Sequence, residues 1–182
     1  MNFDEDLGRA SARLHLQQIS AQDFIDSCAR IAVVHIGCTR AGIWLFRRCD
    51  RDDDMALECV SLYDSRIQRL VRAPGHSQAH ARSFIEEIGR AGVVMAPDAR
   101  RHLATRSLFE NTPPDNGVRS LLAAALTLNG APLGAFSCTQ IGASVVWNDK
   151  HLQMIRTIGA KATVAISRLK RSSGDPFSRT DP

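Results

Sequence analysis

The sequence predicts an α+β fold, in which an antiparallel sheet is flanked by helices. Two pairs of apolar segments have the spacing of antiparallel hairpins, one within residues 40–64 and the other within 120–142. Segments with the apolar periodicity of helices stand before, between and after these hairpins. Strands that follow one another directly, with helices at the ends and in the middle, are typical of α+β proteins.

The clearest local signal is Asn129-Gly130, which stands between two long apolar segments in 120–142. A type I′ turn needs positive φ at both central residues, which Asn tolerates and Gly adopts freely. In this register Leu128 and Ala131 form the hydrogen-bonded pair, and Pro132 falls in a non-bonded pair where its missing N–H costs nothing. Both strands are apolar on both faces, which predicts a hairpin near the middle of a sheet that is covered on two sides.

Three helices are predicted from their capping residues. The first begins with Ser20 and Asp23, which form a capping box, and Gly37 is a suitable stop. The second occupies 77–92, and the third begins after Asn148 and runs to about Arg171. A stripe with heptad-like spacing follows the third helix: Leu152, Ile155, Gly159, Ala162, Ile166 and Leu169.

The other segments complete the order of elements. Strands are predicted at 40–46, 55–64 and 93–97, and an irregular helical connection, broken by Pro113-Pro114, leads to the Asn-Gly hairpin. We expect three parts: a partly helical lead-in at 1–19, one domain at 20–171, and a flexible tail or linker at 172–182 that is rich in Gly, Pro and Ser.

Composition excludes several classes of protein. The chain has 182 residues, of which 44% are hydrophobic, and no apolar run approaches the roughly 20 residues of a membrane span. The acidic N-terminus lacks the apolar region of a secretory signal, so we expect a cytoplasmic protein. The net charge of +4 is dispersed and aromatic residues are only 5%, which argues against nucleic-acid binding.

Residue patterns for catalysis or metal binding are weak. The five cysteines are scattered without a CxxC pair, which favours reduced thiols over disulfides or zinc. The six histidines show no metal-ligand spacing, so haem is disfavoured. The acidic run DRDDD at 50–54 lacks the Gly and distal Glu of a calcium loop and is interpreted as a solvated loop. No Ser-His-Asp order and no Gly-rich phosphate loop stands out.

Five sequence segments occur in a characteristic order: AGIWLF at 41–46, ECVSLYD at 58–64, VVMAPDARRH at 93–102, NGVRSLLAAALTLNGAPLGAFSCTQIG at 116–142, and VVWNDKHLQMIRTIGAKATVAI at 145–166. Together they resemble the GAF domain, a small-molecule sensor module of phosphodiesterases, histidine kinases and bacterial diguanylate cyclases. The resemblance covers roughly residues 20–170.

This resemblance implies a GAF/PAS-like antiparallel sheet of five to six strands. The terminal helices would cover one face, and helices and loops would roof a ligand pocket on the other. It also implies a non-catalytic, bacterial regulatory domain that senses a small ligand or a partner. The signal would pass through the terminal helices to an output domain or partner protein. The resemblance and the heptad-spaced stripe together predict a homodimer formed by the first and last helices.

The ligand is left open, because the subtype motifs of the family are missing. Bilin-binding members carry a thiol after the third strand, whereas no Cys lies between Cys59 and Cys138, so covalent bilin attachment is disfavoured. The NKFDE signature of cyclic-nucleotide members is absent, and Thr139-Gln140 replaces an acidic-His pair. Two alternatives remain: a cysteine-dependent reductase of the free methionine sulfoxide type, and a dimerisation scaffold without ligand.

The resemblance also places large or soft side chains around the pocket, together with the Asp of the Asp-Ala turn. Arginines at 100, 101, 106 and 119 flank the roof, where they would either bind an anionic ligand or form a solvated basic rim. A shift of one residue in strand parity would move each strand residue to the opposite face. The expected ligand-binding set is Trp44, Phe46, Tyr63, Met95, Asp98, Phe109, Arg119, Leu122 and Cys138.

Overall fold

The computed structural model describes residues 2–48, 55–110 and 117–172. In chain order its elements are α1 (Phe3–His15), α2 (Ala21–Ile36), β1 (Arg40–Arg48), β2 (Met55–Asp64), β3 (Arg69–Leu70), α3 (Gln78–Ala91), β4 (Val93–Ala96), a 3₁₀ helix (Arg106–Phe109), β5 (Val118–Leu128), β6 (Ala131–Ile141) and α4 (Asp149–Ser172). The acidic run at 50–54, the Pro113-Pro114 pair and residues 173–182 of the predicted tail lie outside the described residues.

The strands form one sheet in the order β3-β2-β1-β6-β5-β4, and all neighbours are antiparallel. The predicted α+β class and the upper limit of six strands are confirmed. The β5–β6 hairpin lies beside the centre, because β6 pairs with both β1 and β5. Helices α2 and α4 cover one face of this sheet, which we call the helix face. The opposite face, called the cavity face, is covered by α3 and the 3₁₀ helix.

The turn of the central hairpin has the predicted geometry. Asn129 has φ of 51° and Gly130 has φ of 80°, as a type I′ turn requires. Leu128 pairs with Ala131, and Thr127 pairs with Pro132. Immediately before this pair the register shifts, since Leu126 lies opposite Gly134. The hairpin therefore contains an irregularity that the sequence pattern did not indicate.

Local side-chain contacts explain where two of the helices begin. Ser20 Oγ accepts a hydrogen bond from the N–H of Asp23 at 3.0 Å, and the Asp23 carboxylate accepts one from the N–H of Ser20 at 3.0 Å. At the start of α4, Asn148 Oδ1 accepts from the N–H of His151 at 3.0 Å. The start of α3 differs, because the hydroxyl of Ser77 contacts His80 Nδ1 at 2.9 Å and caps no backbone N–H.

The predicted lead-in forms a complete helix that belongs to the same core as the domain. Leu7, Ala10 and Leu14 of α1 are buried in the hydrophobic cluster beneath α2 and α4. A contact of 2.8 Å between Asp6 Oδ2 and His35 Nε2 also joins α1 to α2. The folded unit therefore begins before residue 20 and includes α1.

The heptad-spaced stripe of α4 is part of the intramolecular core. Ile155, Ala162 and Ile166 are at most 1% exposed. Gly159 lies against β5, so closely that an added Cβ would be 3.0 Å from Leu126 Cδ2. The prediction that this stripe forms the surface of a homodimer is therefore wrong. Rows spaced three and four residues apart serve helix-on-sheet packing as well as coiled coils, and here the sheet occupies them.

Candidate functional site

A cavity of about 340 Å³ lies between the cavity face of the sheet and the segments above it. We call these segments the roof: residues 71–76, α3 and the 3₁₀ helix. Most of the lining is apolar, and a few polar groups belong to the strands. The lining residues are Arg40, Trp44, Leu57, Leu62, Ala73, Pro74, His76, Phe84, Leu108, Phe109, Val118, Leu121, Ser137 and Thr139.

The first part of the roof is the segment 71–76, which runs back along β2. Val71 N–H donates to Leu62 O at 2.8 Å, and the backbones of Leu57 and His76 exchange two hydrogen bonds of 2.9 Å. Gly75 is required where the chains approach, because an added Cβ would lie 2.6 Å from the Leu57 carbonyl oxygen. These bonds hold Pro74 and His76 against the cavity.

The indole of Trp44 is fixed on the cavity face by two neighbours. Its Nε1–H donates to Ser137 Oγ at 3.1 Å, and its ring lies 5.3 Å from the His76 ring, centroid to centroid. Burial, followed by the charge of nearby His80, lowers the pKa of His76. His76 is therefore neutral at pH 7, and its ring adds to the aromatic part of the lining.

The charged part of the site is a group of three side chains at the start of β1 and the end of β2. Asp64, only 1% exposed, accepts from Arg40 Nε at 2.7 Å and from Arg66 Nη2 at 2.8 Å. Burial alone would raise the pKa of Asp64, but hydrogen bonds from Arg66 and Arg40 outweigh this effect and lower it to about 2. The three groups therefore carry a net charge of +1 at neutral pH.

The structure brings two of the nine sequence-predicted residues to the cavity, namely Trp44 and Phe109. Phe46 lies on the same face and packs in the cluster beneath the roof, but it does not line the cavity. Asp98 lies in the turn after β4, where its carboxylate accepts from the N–H groups of Arg100 and Arg101. Arg119 is exposed on β5. Phe46, Asp98 and Arg119 are therefore not part of the lining.

The remaining four predicted residues lie on the helix face, which corrects their expected position. Tyr63, Met95, Leu122 and Cys138 all pack with the core beneath α2 and α4. Their neighbours on the strands, such as Leu121, point into the cavity instead. Strands that are apolar on both faces give no alternation from which the parity could be read, so the assumed parity was off by one.

On β2, a bulge makes it still harder to assign residues to a face from the sequence. Ile43 pairs with Ser61 whereas Trp44 pairs with Cys59, so one extra residue lies between these pairs. The bulge reverses the parity of the strand, and Leu57 and Leu62 consequently both line the cavity.

The sequence offered one signal for the charged group of Arg40, Asp64 and Arg66: an Arg opens the first predicted strand and an Asp ends its hairpin partner.

The described cysteines lie outside the lining of the cavity. Burial raises the pKa of Cys28 to about 12 and also raises that of Cys59. Burial, together with a hydrogen bond to Cys38, raises the pKa of Cys138. These thiols are therefore protonated at neutral pH and are weak nucleophiles.

The part of the chain that the structure describes contains neither a metal-binding cluster nor a helix that could span a membrane. In residues 2–48, 55–110 and 117–172 there is no group of three or more His, Cys, Asp or Glu that could hold a metal ion. Among the same residues, every helix is too short or too polar to cross a membrane.

Comparison with known proteins decides the family. A model of the GAF domain family matches residues 20–166, which is most of the chain. This chain belongs to the GAF domain family. No curated protein matches it.

Solved GAF domains share the fold at low sequence identity. A phycocyanobilin-bound GAF domain from a cyanobacterial phytochrome has a TM-score of 0.72 at 14% identity, and the match covers 96% of this chain and 98% of that one. The GAF domain of Acinetobacter phosphoenolpyruvate-protein phosphotransferase has a TM-score of 0.66 at 12% identity, covering 95% and 98%. The PixJ GAF domain of Thermosynechococcus elongatus, in its blue-light absorbing form, has a TM-score of 0.65 at 15% identity, covering 88% and 91%.

Proposed function

We propose that this GAF domain is a non-catalytic regulatory module that binds a small molecule in the cavity and passes the signal to an output domain or partner protein. The observation that carries the proposal is the cavity itself. It is about 340 Å³ in volume, mostly apolar, and has a few polar groups on its strands. Ligand sites in proteins commonly combine these properties.

The single-layered sheet offers a short route from the cavity to the terminal helices. Ser137 lines the cavity, while its neighbours Phe136 and Cys138 are buried beneath α2 and α4. A ligand that shifts β6 would therefore act on the helix packing one residue away. In this proposal, the ligand favours one of two helix arrangements because it binds that state more tightly.

Cysteine-dependent reduction receives less support from the geometry. The Cys38 and Cys138 thiols contact each other, but both residues are at most 3% exposed and lie on the helix face. Covalent bilin attachment also lacks a described thiol in the lining. The free cysteines are compatible with the reducing bacterial cytoplasm, where we propose that the domain acts.

We retain a homodimer in the proposal and assign it to the outer faces of α2 and α4. Val34 on α2 is 61% exposed and Val164 on α4 is 52% exposed. The two helices pack side by side, so these valines belong to the outer layer of the same helix pair. This surface replaces the buried stripe as the candidate for pairing.

Native mass spectrometry of the purified chain, followed by an NMR screen with small aromatic fragments, tests ligand binding. We expect a retained molecule or bound fragments in the wild type. Leu121→Trp, which fills the cavity, should abolish binding, whereas Arg119→Trp adds the same bulk at an exposed site and should not. The proposal fails if the wild type and Leu121→Trp behave alike in both measurements.

A further inference from the structure

Within the part of the chain that the structure describes, the lining of the cavity carries one charged side chain, and its charge is positive. Arg40 is the one side chain of the described lining that is charged at neutral pH, and no Asp or Glu is among these lining residues. The nearest carboxylate, Asp64, is shared between Arg40 and Arg66. A ligand in this cavity therefore meets a net positive charge in otherwise apolar surroundings.

The bonds of Asp64 leave the outer end of Arg40 available. Asp64 accepts one hydrogen bond from Arg40 Nε and three from Arg66, which come from its backbone N–H, Nε and Nη2. Among the described residues, the two terminal nitrogens of Arg40 have no hydrogen-bond partner. The side chain is 22% exposed and lines the cavity. Its N–H fork matches the geometry of a carboxylate.

Two hydroxyl groups stand on β6, the strand that pairs with the part of β1 that carries this guanidinium. Arg40 pairs with Thr139, and Gly42, the next residue on that face of β1, pairs with Ser137. Both hydroxyls line the cavity. Ser137 Oγ already accepts from Trp44 Nε1, so its O–H is a donor, and Thr139 Oγ1 has no partner among the described residues. One end of the cavity therefore offers a cationic fork and two hydroxyls.

The other lining residues define the rest of the ligand. Phe84, Leu108, Phe109 and Leu121 surround a space that offers apolar contacts and aromatic faces. A hydrophilic ligand would lose its hydration there without gaining partners. This part of the cavity fits a ring-containing apolar body.

We propose that the ligand is a ring-containing, mainly apolar monocarboxylate, whose carboxylate binds the terminal nitrogens of Arg40 and the hydroxyls of Thr139 and Ser137. This inference rests on the proposed function, since it names the ligand class of the same cavity. The described lining holds one cationic side chain, Arg40, which matches the single charge of a carboxylate, whereas a phosphate dianion would bring a second negative charge into apolar surroundings.

The test uses isothermal titration calorimetry of the full chain near neutral pH with three matched probes: naphthoate, naphthamide and naphthylmethylammonium. They share the ring system and differ in the charge of one substituent. We expect naphthoate to bind about tenfold to hundredfold more tightly than naphthamide, the range of a hydrogen bond to a charged group. The ammonium probe should bind more weakly than the amide.

Two variants distinguish direct contact from a general charge effect. Arg40→Gln should remove most of the preference for naphthoate over naphthamide, because the neutral side chain no longer discriminates between a carboxylate and an amide. Arg66→Gln is the matched control, because Arg66 binds the same Asp64 carboxylate, is 44% exposed and does not line the cavity. It should retain most of the preference. Thermal unfolding of both variants checks that each remains folded.

The outcomes separate the two proposals. If naphthamide binds the wild type as tightly as naphthoate, the carboxylate assignment is overturned while the ligand-binding cavity stands. Equal loss of preference in Arg40→Gln and Arg66→Gln also overturns the direct contact. If no probe binds and the fragment screen is negative as well, both the inference and the proposed function fail.

Discussion

The buried carboxylate of Asp64 is held in its charged form by two guanidinium groups. Its pKa of about 2 in the folded chain lies below the ordinary value of 3.8. A carboxyl group with a lowered folded pKa stabilises the fold above its unfolded pKa, and this contribution disappears as the pH falls toward the folded pKa. Asp64 therefore makes the stability of the domain depend on pH between about 4 and 2.

We expect Asp64→Asn to lower the free energy of unfolding by about 2 kcal/mol at pH 7, which is the size of the pKa shift converted to free energy. The difference from wild type should shrink as the pH falls from about 4 to about 2. Urea unfolding at a series of pH values measures it. Glu86→Gln, at a residue whose side chain is 66% exposed, should show little difference at any pH. A pH-independent loss in Asp64→Asn would contradict the electrostatic explanation.

Residue-scale contacts also explain why the predicted site was only partly found. Trp44 was predicted and is present, whereas Leu122 was predicted in place of Leu121. Neighbouring residues of the same type on a strand that is buried on both faces cannot be assigned to a face from their hydrophobicity. The tertiary contacts alone make that assignment.

At the scale of elements, the capping box at Ser20 fixes the start of α2. Ser20→Ala removes the acceptor for the Asp23 N–H. We expect a loss of about 1 kcal/mol in the free energy of unfolding, the usual cost of losing an N-cap. Chemical denaturation measures it, and Ser20→Asp, which retains an acceptor at the same position, should recover most of the stability. Equal losses in both variants would contradict the capping role.

The central strand pair depends on Gly134. A Cβ added there would overlap the Trp44 carbonyl oxygen and lie 2.8 Å from Leu45 Cα, so the β1–β6 pair would have to separate. We expect Gly134→Ala to destabilise the domain by about 2 kcal/mol or more, in the range of overpacked cores. Thermal and urea unfolding provide the measurement.

The matched control for this change is Gly89→Ala, because an added Cβ at Gly89 in α3 meets no other atom within 4 Å. Gly89→Ala should stabilise the domain by up to about 1 kcal/mol, because Ala has a higher helix propensity than Gly. If both alanine variants shift stability in the same direction, the steric argument for Gly134 is refuted.

At the scale of the whole molecule, α4 has an inner side that is core and an outer side that is available to a partner. Ile166 is 1% exposed and Val164 is 52% exposed, although the two residues are close in sequence. We expect Ile166→Asp to unfold or severely destabilise the domain, by about 3 kcal/mol or more, because it buries an unpaired charge. Circular dichroism and thermal unfolding measure this effect.

Val164→Asp should leave the domain folded, because the new carboxylate is in water. If the proposed homodimer forms through the outer faces of α2 and α4, this variant should shift wild-type dimer to monomer. Light scattering at tens of micromolar protein is the measurement. A dimer that persists in Val164→Asp and in Val34→Asp would place the interface elsewhere, and a monomeric wild type would remove the homodimer from the proposal.

The sequence by itself determined the order of the elements from α2 to α4 apart from the short strand β3, the α+β class, the type I′ turn at Asn129-Gly130 and the capping box at Ser20. These features depend on the conformational preferences of residues a few positions apart, which act before any tertiary contact forms. The resemblance to GAF domains rested on the same ordered segments, and the family match confirmed it.

Only the tertiary structure decided which strand face borders the cavity, how Arg40 and Asp64 meet, and that the stripe of α4 is core. The two charged residues are 24 positions apart and become neighbours through the register of β1 and β2. The bulge in β2 and the two-sided burial of β5 remove the alternation that would otherwise reveal the faces. A pattern of apolar residues specifies that a side chain is buried, but its partner is set by packing, because the hydrophobic effect has no direction.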